Sequence, residues 1–204
     1  MSNFDNAART WDENPVHLER SQAIARKMEE IFPLNTNMNA LELGAGTGIL
    51  SFLLADKLGH ITMMDSSSEM VKVTEEKIQN RQISNLAAIY FDLEKEMPDG
   101  SFDLIFNQMV LHHIDNIDSI FNKFYQLLQK GGFLAIADLY SEDGSFHGEG
   151  FNGHLGFDPA QLSEKLNKAG FSNISYEQCY EVKRKISEEE TKSFPIFLLT
   201  ATKK

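Results

Sequence analysis

The sequence predicts an α/β fold built on a mostly parallel sheet, and three observations support this prediction. Short apolar runs typical of buried strands alternate along the chain with stretches whose apolar residues recur at helical spacing. Glycine or proline follows several of these stretches, as is common where helices and strands end. The chain has 204 residues, 42% of them hydrophobic, which is enough for one hydrophobic core. We therefore expect one domain over residues 1–204.

Five strand–helix units are predicted before the pattern changes. The predicted strands are residues 40–43, 60–64, 86–91, 102–106 and 133–139, and the predicted helices are 16–32, 49–58, 67–80, 117–129 and 158–169. In the last helix, Asp158 is the expected N-cap, Pro159 the first helical residue and Gly170 the stop. Two further strands, 174–182 and 194–201, follow with only a charged connection between them. They predict a C-terminal antiparallel hairpin.

The charge and cysteine content exclude several classes of protein. The formal net charge is −11, and the densest basic run, Lys183-Arg184-Lys185, is followed by three glutamates. Proteins that bind nucleic acid through its phosphates need clustered lysine and arginine, so we expect no nucleic-acid partner. The single cysteine, Cys179, permits no intramolecular disulfide, and no apolar run resembles a signal or membrane-spanning segment. A cytoplasmic location and no membrane partner are therefore expected.

A glycine-rich turn is the most informative segment of the sequence. The first predicted strand runs into Gly44, Gly46 and Gly48, and a helix begins directly after them. Glycines allow a ligand to lie against the main chain, and a helix N-terminus offers unpaired N–H groups. In an open α/β sheet, ligands bind beyond the carboxyl ends of the strands. We therefore expect a nucleoside-type cofactor here. Ile49 stands where the dinucleotide fingerprint has its third glycine, which disfavours an NAD(P)-dependent oxidoreductase.

The spacing Glu42-x-Gly44-x-Gly46-x-Gly48 resembles motif I of the class I S-adenosylmethionine-dependent methyltransferases. Further segments follow in that family's order: Asp65 at the end of the second strand, Phe91-Asp92-Leu93 at the end of the third, Phe102 to Asn107 in the fourth, and Lys130-Gly131-Gly132 before the fifth. The resemblance covers about residues 38–139. It implies a Rossmann-like three-layer α/β/α sandwich with a seven-stranded sheet in the order 3-2-1-4-5-7-6.

The resemblance also implies which residues bind the cofactor. The glycine turn would cradle the amino-acid end of S-adenosylmethionine. Asp65 would accept hydrogen bonds from both ribose hydroxyls, and Asp92 would bind the adenine amino group. Trp11, in an otherwise polar stretch, would close over the site. The predicted cofactor-binding residues are Trp11, Glu42, Gly44, Ala45, Gly46, Gly48, Asp65, Ser66, Met70, Asp92, Leu93, Asn107 and Gln108.

The reaction implied is transfer of the cofactor's methyl group to a small-molecule acceptor by in-line displacement. Such a reaction needs alignment and exclusion of water, and a general base only if the acceptor must lose a proton. The candidate bases near the strand ends are His112, His113, Tyr140, His147 and His154, of which His154 and His112 are the predicted catalytic residues. Long loops after core strands often form active sites, so residues 140–157 are expected to line the acceptor pocket.

The expected organisation is an N-terminal lid and helix (1–35), a cofactor-binding core (36–139), the acceptor-site loop and a C-terminal helix and hairpin (158–204). No metal is predicted: His147, Glu149 and His154 match no standard spacing. Asn107 and Asp138 lie at strand ends but lack an evident third ligand for magnesium. Two alternatives stay open, a catalytically silent cofactor-binding module and, with less support, the oxidoreductase. The sequence does not specify the acceptor or the oligomeric state.

Overall fold

The computed structural model describes residues 3–204, and seven strands within them form one mixed sheet. The strands are β1 (Asn39–Leu43), β2 (His60–Asp65), β3 (Leu86–Tyr90), β4 (Phe102–Gln108), β5 (Leu128–Leu139), β6 (Phe171–Lys185) and β7 (Thr191–Lys203). Their order is β3-β2-β1-β4-β5-β7-β6. Pairing is parallel from β3 to β5 and antiparallel from β5 through β7 to β6. The predicted strand order and C-terminal hairpin are confirmed.

Helices cover both faces of this sheet. They are α1 (Asn3–Ala7), α2 (Pro15–Ile31), α3 (Ile49–Leu54), α4 (Ser68–Arg81), α5 (Ile117–Leu127) and α6 (Pro159–Lys168), with short 3-10 helices at Ala8–Glu13 and Leu111–His113. Alternate strand residues point to opposite faces: Ile105 packs in one apolar cluster with α5 and α6, and Leu104 and Phe106 pack in the other with α2 and α3. The three-layer sandwich is therefore confirmed.

Helix ends follow local capping chemistry where the sequence provides it. The Asn14 side chain accepts a hydrogen bond from the Val16 N–H at 3.1 Å, with Pro15 as the first residue of α2. Asp158 does the same for the Ala160 N–H at 2.8 Å, so the predicted cap of α6 is confirmed. Among the described residues, no helix is both long and apolar enough to cross a lipid bilayer.

Three boundary predictions were wrong, each because a distant contact decides the boundary. Helix α3 ends at Leu54 rather than at residue 58; the amide of Asn85 donates to the carbonyl oxygens of Ala55 at 2.7 Å and Leu58 at 3.0 Å in the turn that follows. Strand β5 begins at Leu128, where it pairs with β4 across a register shift. The hairpin strands are longer than predicted and pair as far as Lys185 and Thr191, leaving a connection of only 186–190.

The polar residues before α2 also differ from a simple tail. They form α1 and the 3-10 helix Ala8–Glu13, and Ala8 is only 1% exposed. This segment packs on α4 beside the glycine turn through Arg9, which donates to Glu76 at 2.5 and 2.9 Å. The N-terminal segment is therefore positioned to cover the carboxyl edge of the sheet.

Candidate active site

A cavity of about 750 Å³ lies at the carboxyl ends of the parallel strands, between the N-terminal segment and the loop 140–157. Ligand sites of this size are typical for small molecules and cofactors. Of the predicted cofactor-binding residues, those that line the cavity are Trp11, Gly44, Ala45, Gly46, Asp65, Ser66, Met70, Asp92, Leu93 and Gln108. Glu42, Gly48 and Asn107 do not line it. The fold thus brings most of the predicted set to one surface.

The glycine turn after β1 needs its glycines for two different reasons. Gly44, Gly46 and Gly48 all have positive φ, at 63°, 57° and 78°. A Cβ on Gly44 would lie 2.4 Å from a methyl carbon of Val110, so packing excludes any side chain there. A Cβ on Gly46 would meet no other residue closer than 3.9 Å. The open space over Gly46 therefore allows a ligand to approach the main chain.

Asp65, at the end of β2, is tied to this turn. Its Oδ2 accepts a hydrogen bond from the Gly46 N–H at 2.7 Å, and its Oδ1 accepts one from the Ser67 N–H at 2.8 Å. Burial raises the pKa of this carboxyl above its ordinary value, against the effect of those hydrogen bonds. A carboxylate has about four acceptor positions, so each oxygen retains capacity for a ligand hydroxyl. The geometry fits a vicinal diol at this point.

Asp92 follows β3 and faces the same cavity from another side. Its carboxylate pairs with Lys95 at 2.7 Å, and that hydrogen bond is the main cause of its lowered pKa, so it is ionised at neutral pH. The neighbouring Leu93 and Met70 are 2% and 1% exposed and also line the cavity. An acceptor beside apolar surface suits a flat heterocycle that carries an amino group.

The N-terminal segment is held over the turn by polar contacts. Asp12 accepts hydrogen bonds from the Thr47 hydroxyl at 2.5 Å and from the Lys77 ammonium at 2.6 Å. Lys77 also donates to the Thr47 carbonyl at 2.7 Å. Trp11 stacks on His17, with ring centroids 4.2 Å apart, and both line the cavity. The segment has the position expected of a lid.

Glu42, Gly48 and Asn107 lie behind the cavity surface and support it. Glu42 is fully buried and accepts a hydrogen bond from the Ser51 hydroxyl, and burial raises its pKa to about 8. Gly48 is the residue before α3, and Asn107 pairs in register with Leu43. Within residues 3–204, neither amide atom of Asn107 has a hydrogen-bond partner. Direct contact of these three residues with a cofactor stays a prediction.

The histidines divide into two groups. His112, His113 and His147 line the cavity, and one nitrogen from each of the three rings lies within 4.8 Å of the other two. Burial lowers the pKa of both His113 and His147 to about 4, so both are neutral at neutral pH. His154 does not line the cavity; its Nε2 lies 3.0 Å from the carbonyl oxygen of Ile114. Of the two predicted catalytic histidines, the structure places His112 at the site and His154 outside it.

The loop 140–157 supplies the far wall. Phe146, His147, Glu149 and Phe151 all line the cavity, and contact of this loop with an acceptor stays a prediction. Tyr140, the other candidate base, does not line it.

Two arginines of this site were not predicted from the sequence. Arg20 and Arg184 line the cavity, and Arg20 is 7% exposed. Burial lowers the pKa of Arg20 to about 10, opposed by the nearby charge of Asp138, so it is cationic at neutral pH. Among the described residues, its Nε has no hydrogen-bond partner. The available signal was spacing: Arg20 shares a helix face with Ile24 and Met28, where an apolar residue is expected.

A glycine turn after β1, acids after β2 and β3, and a cavity at their carboxyl ends together define a class I S-adenosylmethionine-dependent methyltransferase fold, as the sequence resemblance implied. A family model described as a methyltransferase domain matches residues 34–193. The chain therefore belongs to the methyltransferase domain family.

Relatives and solved structures agree with this assignment. Malonyl-[acyl-carrier protein] O-methyltransferase 2 of Ilyobacter polytropus is 32% identical over 151 residues, covering 69% of this chain and 55% of that protein. The chain thus spans about half the length of that relative. A Haloferax volcanii methyltransferase solved with the Trm112 methyltransferase activator has a TM-score of 0.78 at 16% identity, covering 99% of this chain and 98% of that chain.

A third comparison comes from a structure with both ligands of such an enzyme. Phosphoethanolamine N-methyltransferase 2 of Haemonchus contortus, in complex with phosphomonomethylethanolamine and S-adenosylhomocysteine, has a TM-score of 0.71 at 18% identity. The match covers 91% of this chain and 52% of that chain. At this identity, the similarity shows the fold.

Proposed function

We propose that this chain binds S-adenosylmethionine at the glycine turn and transfers its methyl group to a small, acidic acceptor. The observation that carries the proposal is the composition of the cavity. The glycine turn, Asp65 and Asp92 line it, and so do Arg20 and residues of the loop 140–157. A donor and an acceptor can therefore share one enclosed space, which in-line transfer requires.

The cofactor half of the cavity contains a matching partner for each part of the molecule. Asp65 would accept hydrogen bonds from the ribose hydroxyls, and Asp92 would accept one from the adenine amino group. Met70 and Leu93 would pack on the base, and the open face of Gly46 would take the amino-acid end. When bound, the cofactor supplies a methyl group already activated by its sulfonium charge. The protein then has to orient the acceptor and exclude water.

The acceptor half favours an anionic group. Arg20 is nearly buried, cationic and without a partner for its Nε in the described part of the chain, so an acidic ligand would satisfy it. Arg184 lines the same cavity. The comparisons are consistent with an acidic acceptor: one relative is named for malonyl-[acyl-carrier protein], and one structural neighbour is bound to phosphomonomethylethanolamine. The net charge of −11 argues against a polyanion such as RNA.

Aromatic side chains would keep water from the reacting atoms. Trp11 and Phe4 of the N-terminal segment and Phe146 and Phe151 of the loop all line the cavity. Because the donor is already activated, alignment and water exclusion supply much of the rate enhancement. The proposal includes the cytoplasmic location that the composition predicts.

Calorimetric titration tests the cofactor first, using S-adenosylmethionine and S-adenosylhomocysteine with NADH as the control. We expect saturable binding of the first two only. Asp65→Asn should weaken that binding by about 1.5–3 kcal/mol, as for hydrogen bonds to a charged group. The exposed Asp56→Asn is the matched control. Binding of NADH alone would favour the oxidoreductase alternative and contradict the proposal.

Turnover separates an enzyme from a silent module. The protein with labelled S-adenosylmethionine is offered a panel of small carboxylic and phosphorylated compounds and their neutral analogues, and methylated products are measured by mass spectrometry. We expect product with acidic compounds and a raised KM in Arg20→Gln. Cofactor binding without product from any acceptor class would favour the silent module.

A further inference from the structure

Three histidines meet on the wall of the cavity that faces the lid and the loop. His112 and His113 belong to the short 3-10 helix after β4, and His147 belongs to the loop 140–157. Their ring centroids are 4.2 Å apart for His112 and His113, 4.9 Å for His112 and His147, and 5.6 Å for His113 and His147. The residues are close because of how the loop folds back, so their spacing in the sequence gives no sign of the cluster.

These separations match those of three imidazoles around one metal ion. With zinc–nitrogen bonds of about 2.0–2.1 Å in tetrahedral geometry, ring centroids lie roughly 5 Å apart and ligand nitrogens about 3.3 Å apart. Here, one nitrogen from each of the three rings lies within 4.8 Å of the other two. Small rotations of the rings would therefore bring them to bonding positions without moving the backbone.

A buried carboxylate holds the first of these rings. His112 Nδ1 lies 2.6 Å from Asp138 Oδ1, and the two residues are 1% and 0% exposed. Asp138 also accepts hydrogen bonds from the main-chain N–H of His112 and of Leu139, at 3.3 and 2.7 Å. Donation from Nδ1 directs the lone pair of Nε2 away from Asp138. This carboxylate–histidine arrangement is the usual support of a metal-ligating imidazole.

The other two rings pack against aromatic neighbours. His147 stacks on Phe151, with centroids 3.8 Å apart and an interplanar angle of 9°. Its Nδ1 is buried and has no hydrogen-bond partner among residues 3–204. Phe4 meets His113 edge to face at 5.2 Å. A buried ring nitrogen without a partner is costly unless a ligand satisfies it.

We propose that His112, His113 and His147 bind one divalent transition-metal ion of the zinc class, with Asp138 as the supporting carboxylate and an open coordination position toward the cavity. Three protein ligands with one open position are the pattern of catalytic rather than structural zinc sites. Imidazole ligands select zinc and its neighbours over magnesium or calcium. Arg20 and Arg184 line the same cavity, so the ion must be held by coordination rather than by a negative field.

The open position would face the space assigned above to the acceptor. An oxygen, nitrogen or sulfur atom of a ligand could occupy it and be held near the reacting end of the cofactor. The metal site itself rests on the histidine geometry alone, so it stands or falls independently of the proposed methyl transfer.

Cobalt titration of the protein, after dialysis against a chelator, tests the site directly. Co²⁺ in a histidine site absorbs visible light, and Zn²⁺ added afterwards should abolish that absorption. We expect one bound equivalent. Asp138→Asn should weaken binding about 10- to 100-fold, the effect typical of a supporting residue, and His113→Gln and His147→Gln should weaken it further. His60→Gln is the matched control, because His60 begins β2 at the opposite edge of the sheet.

Two results would overturn the proposal: no saturable cobalt binding by the folded wild-type protein, or binding that His113→Gln and His147→Gln leave unchanged. His147 lies in a loop, so loss of binding in His147→Gln with an unchanged circular dichroism spectrum would reflect the site and not the fold. Calorimetry with S-adenosylhomocysteine on the same variants separates the two proposals. Intact nucleoside binding with lost cobalt binding supports the metal site as assigned.

Discussion

The carboxyl group of Glu42 is buried beneath the glycine turn, where the Ser51 hydroxyl donates to it. Burial raises its pKa from 4.5 to about 8, so the folded protein holds this proton at neutral pH. An unfolded chain releases it near the ordinary value. The folded state therefore binds more protons between these pH values, and the stabilisation is complete below about pH 4.5 and is lost as pH rises through 8.

Glu42→Gln should remove this pH dependence, because glutamine resembles the protonated acid and does not titrate. We expect the free energy of unfolding of the wild type to fall relative to the variant as pH rises from 5 to 8, by at most about 1.4 kcal/mol per pH unit. Urea unfolding at several pH values measures the difference. The exposed Glu164→Gln is the control. A difference that does not change with pH would contradict the raised pKa.

Gly46→Val should prevent cofactor binding, because its side chain would fill the open face of the turn. Positive φ also costs an L-residue roughly 1–2 kcal/mol, whatever the space around it. Gly131→Val is the matched control: Gly131 has a φ of 80°, no atom lies within 4 Å of its Cβ position, and it is outside the cavity. Calorimetry should show lost S-adenosylhomocysteine binding only in Gly46→Val. Equal loss in both would point to strain alone.

At the scale of elements, the N-terminal segment contacts the glycine turn through polar side chains, so we expect it to affect cofactor affinity. Asp12→Asn would remove the ion pair with Lys77, whose side chain is 18% exposed. We expect S-adenosylhomocysteine affinity to fall roughly 2- to 5-fold, equivalent to a pair worth about 0.5–1 kcal/mol. Asp56→Asn provides the control.

Fluorescence can test the predicted lid role of this segment directly, because Trp11 is the only tryptophan. Trp11 stacks on His17 at the cavity, so cofactor binding should change the emission of Trp11. In Asp12→Asn, the same change in emission should require a higher ligand concentration than in the wild type. An emission spectrum that stays unchanged at saturating ligand would contradict a lid role for this segment.

The elements also show what the sequence could and could not predict. Strand order, the glycine turn and the acids after β2 and β3 were predictable, since local periodicity and a known motif specify them. The end of α3 was not, because the side chain of Asn85, thirty residues away, decides it. The histidine cluster was not predictable either. The sequence analysis considered His147 only with Glu149 and His154 and rejected that set, whereas the path of the loop places His147 beside His112 and His113. Long-range contacts leave no periodic signal.

At the scale of the whole molecule, the cavity joins parts of the chain that are far apart in sequence. The N-terminal segment, the ends of β1 to β4 and the loop 140–157 all line it. A ligand that bridges these parts binds the folded state alone and must therefore raise the stability of the entire chain.

Thermal unfolding should report this linkage. At 100 times its dissociation constant, S-adenosylhomocysteine should add about 2.7 kcal/mol, and a protein of this size gains about 2–4 °C in Tm per kcal/mol, so Tm should rise by about 5–10 °C. The Tm of Gly46→Val should not rise with S-adenosylhomocysteine, whereas the Tm of Gly131→Val should rise as much as that of the wild type.

Zn²⁺ should raise Tm separately. In His147→Gln this zinc-dependent rise should vanish, while the rise caused by S-adenosylhomocysteine remains. Because each ligand depends on different side chains, loss of both responses through His147→Gln would show that the two ends of the cavity form one site rather than two.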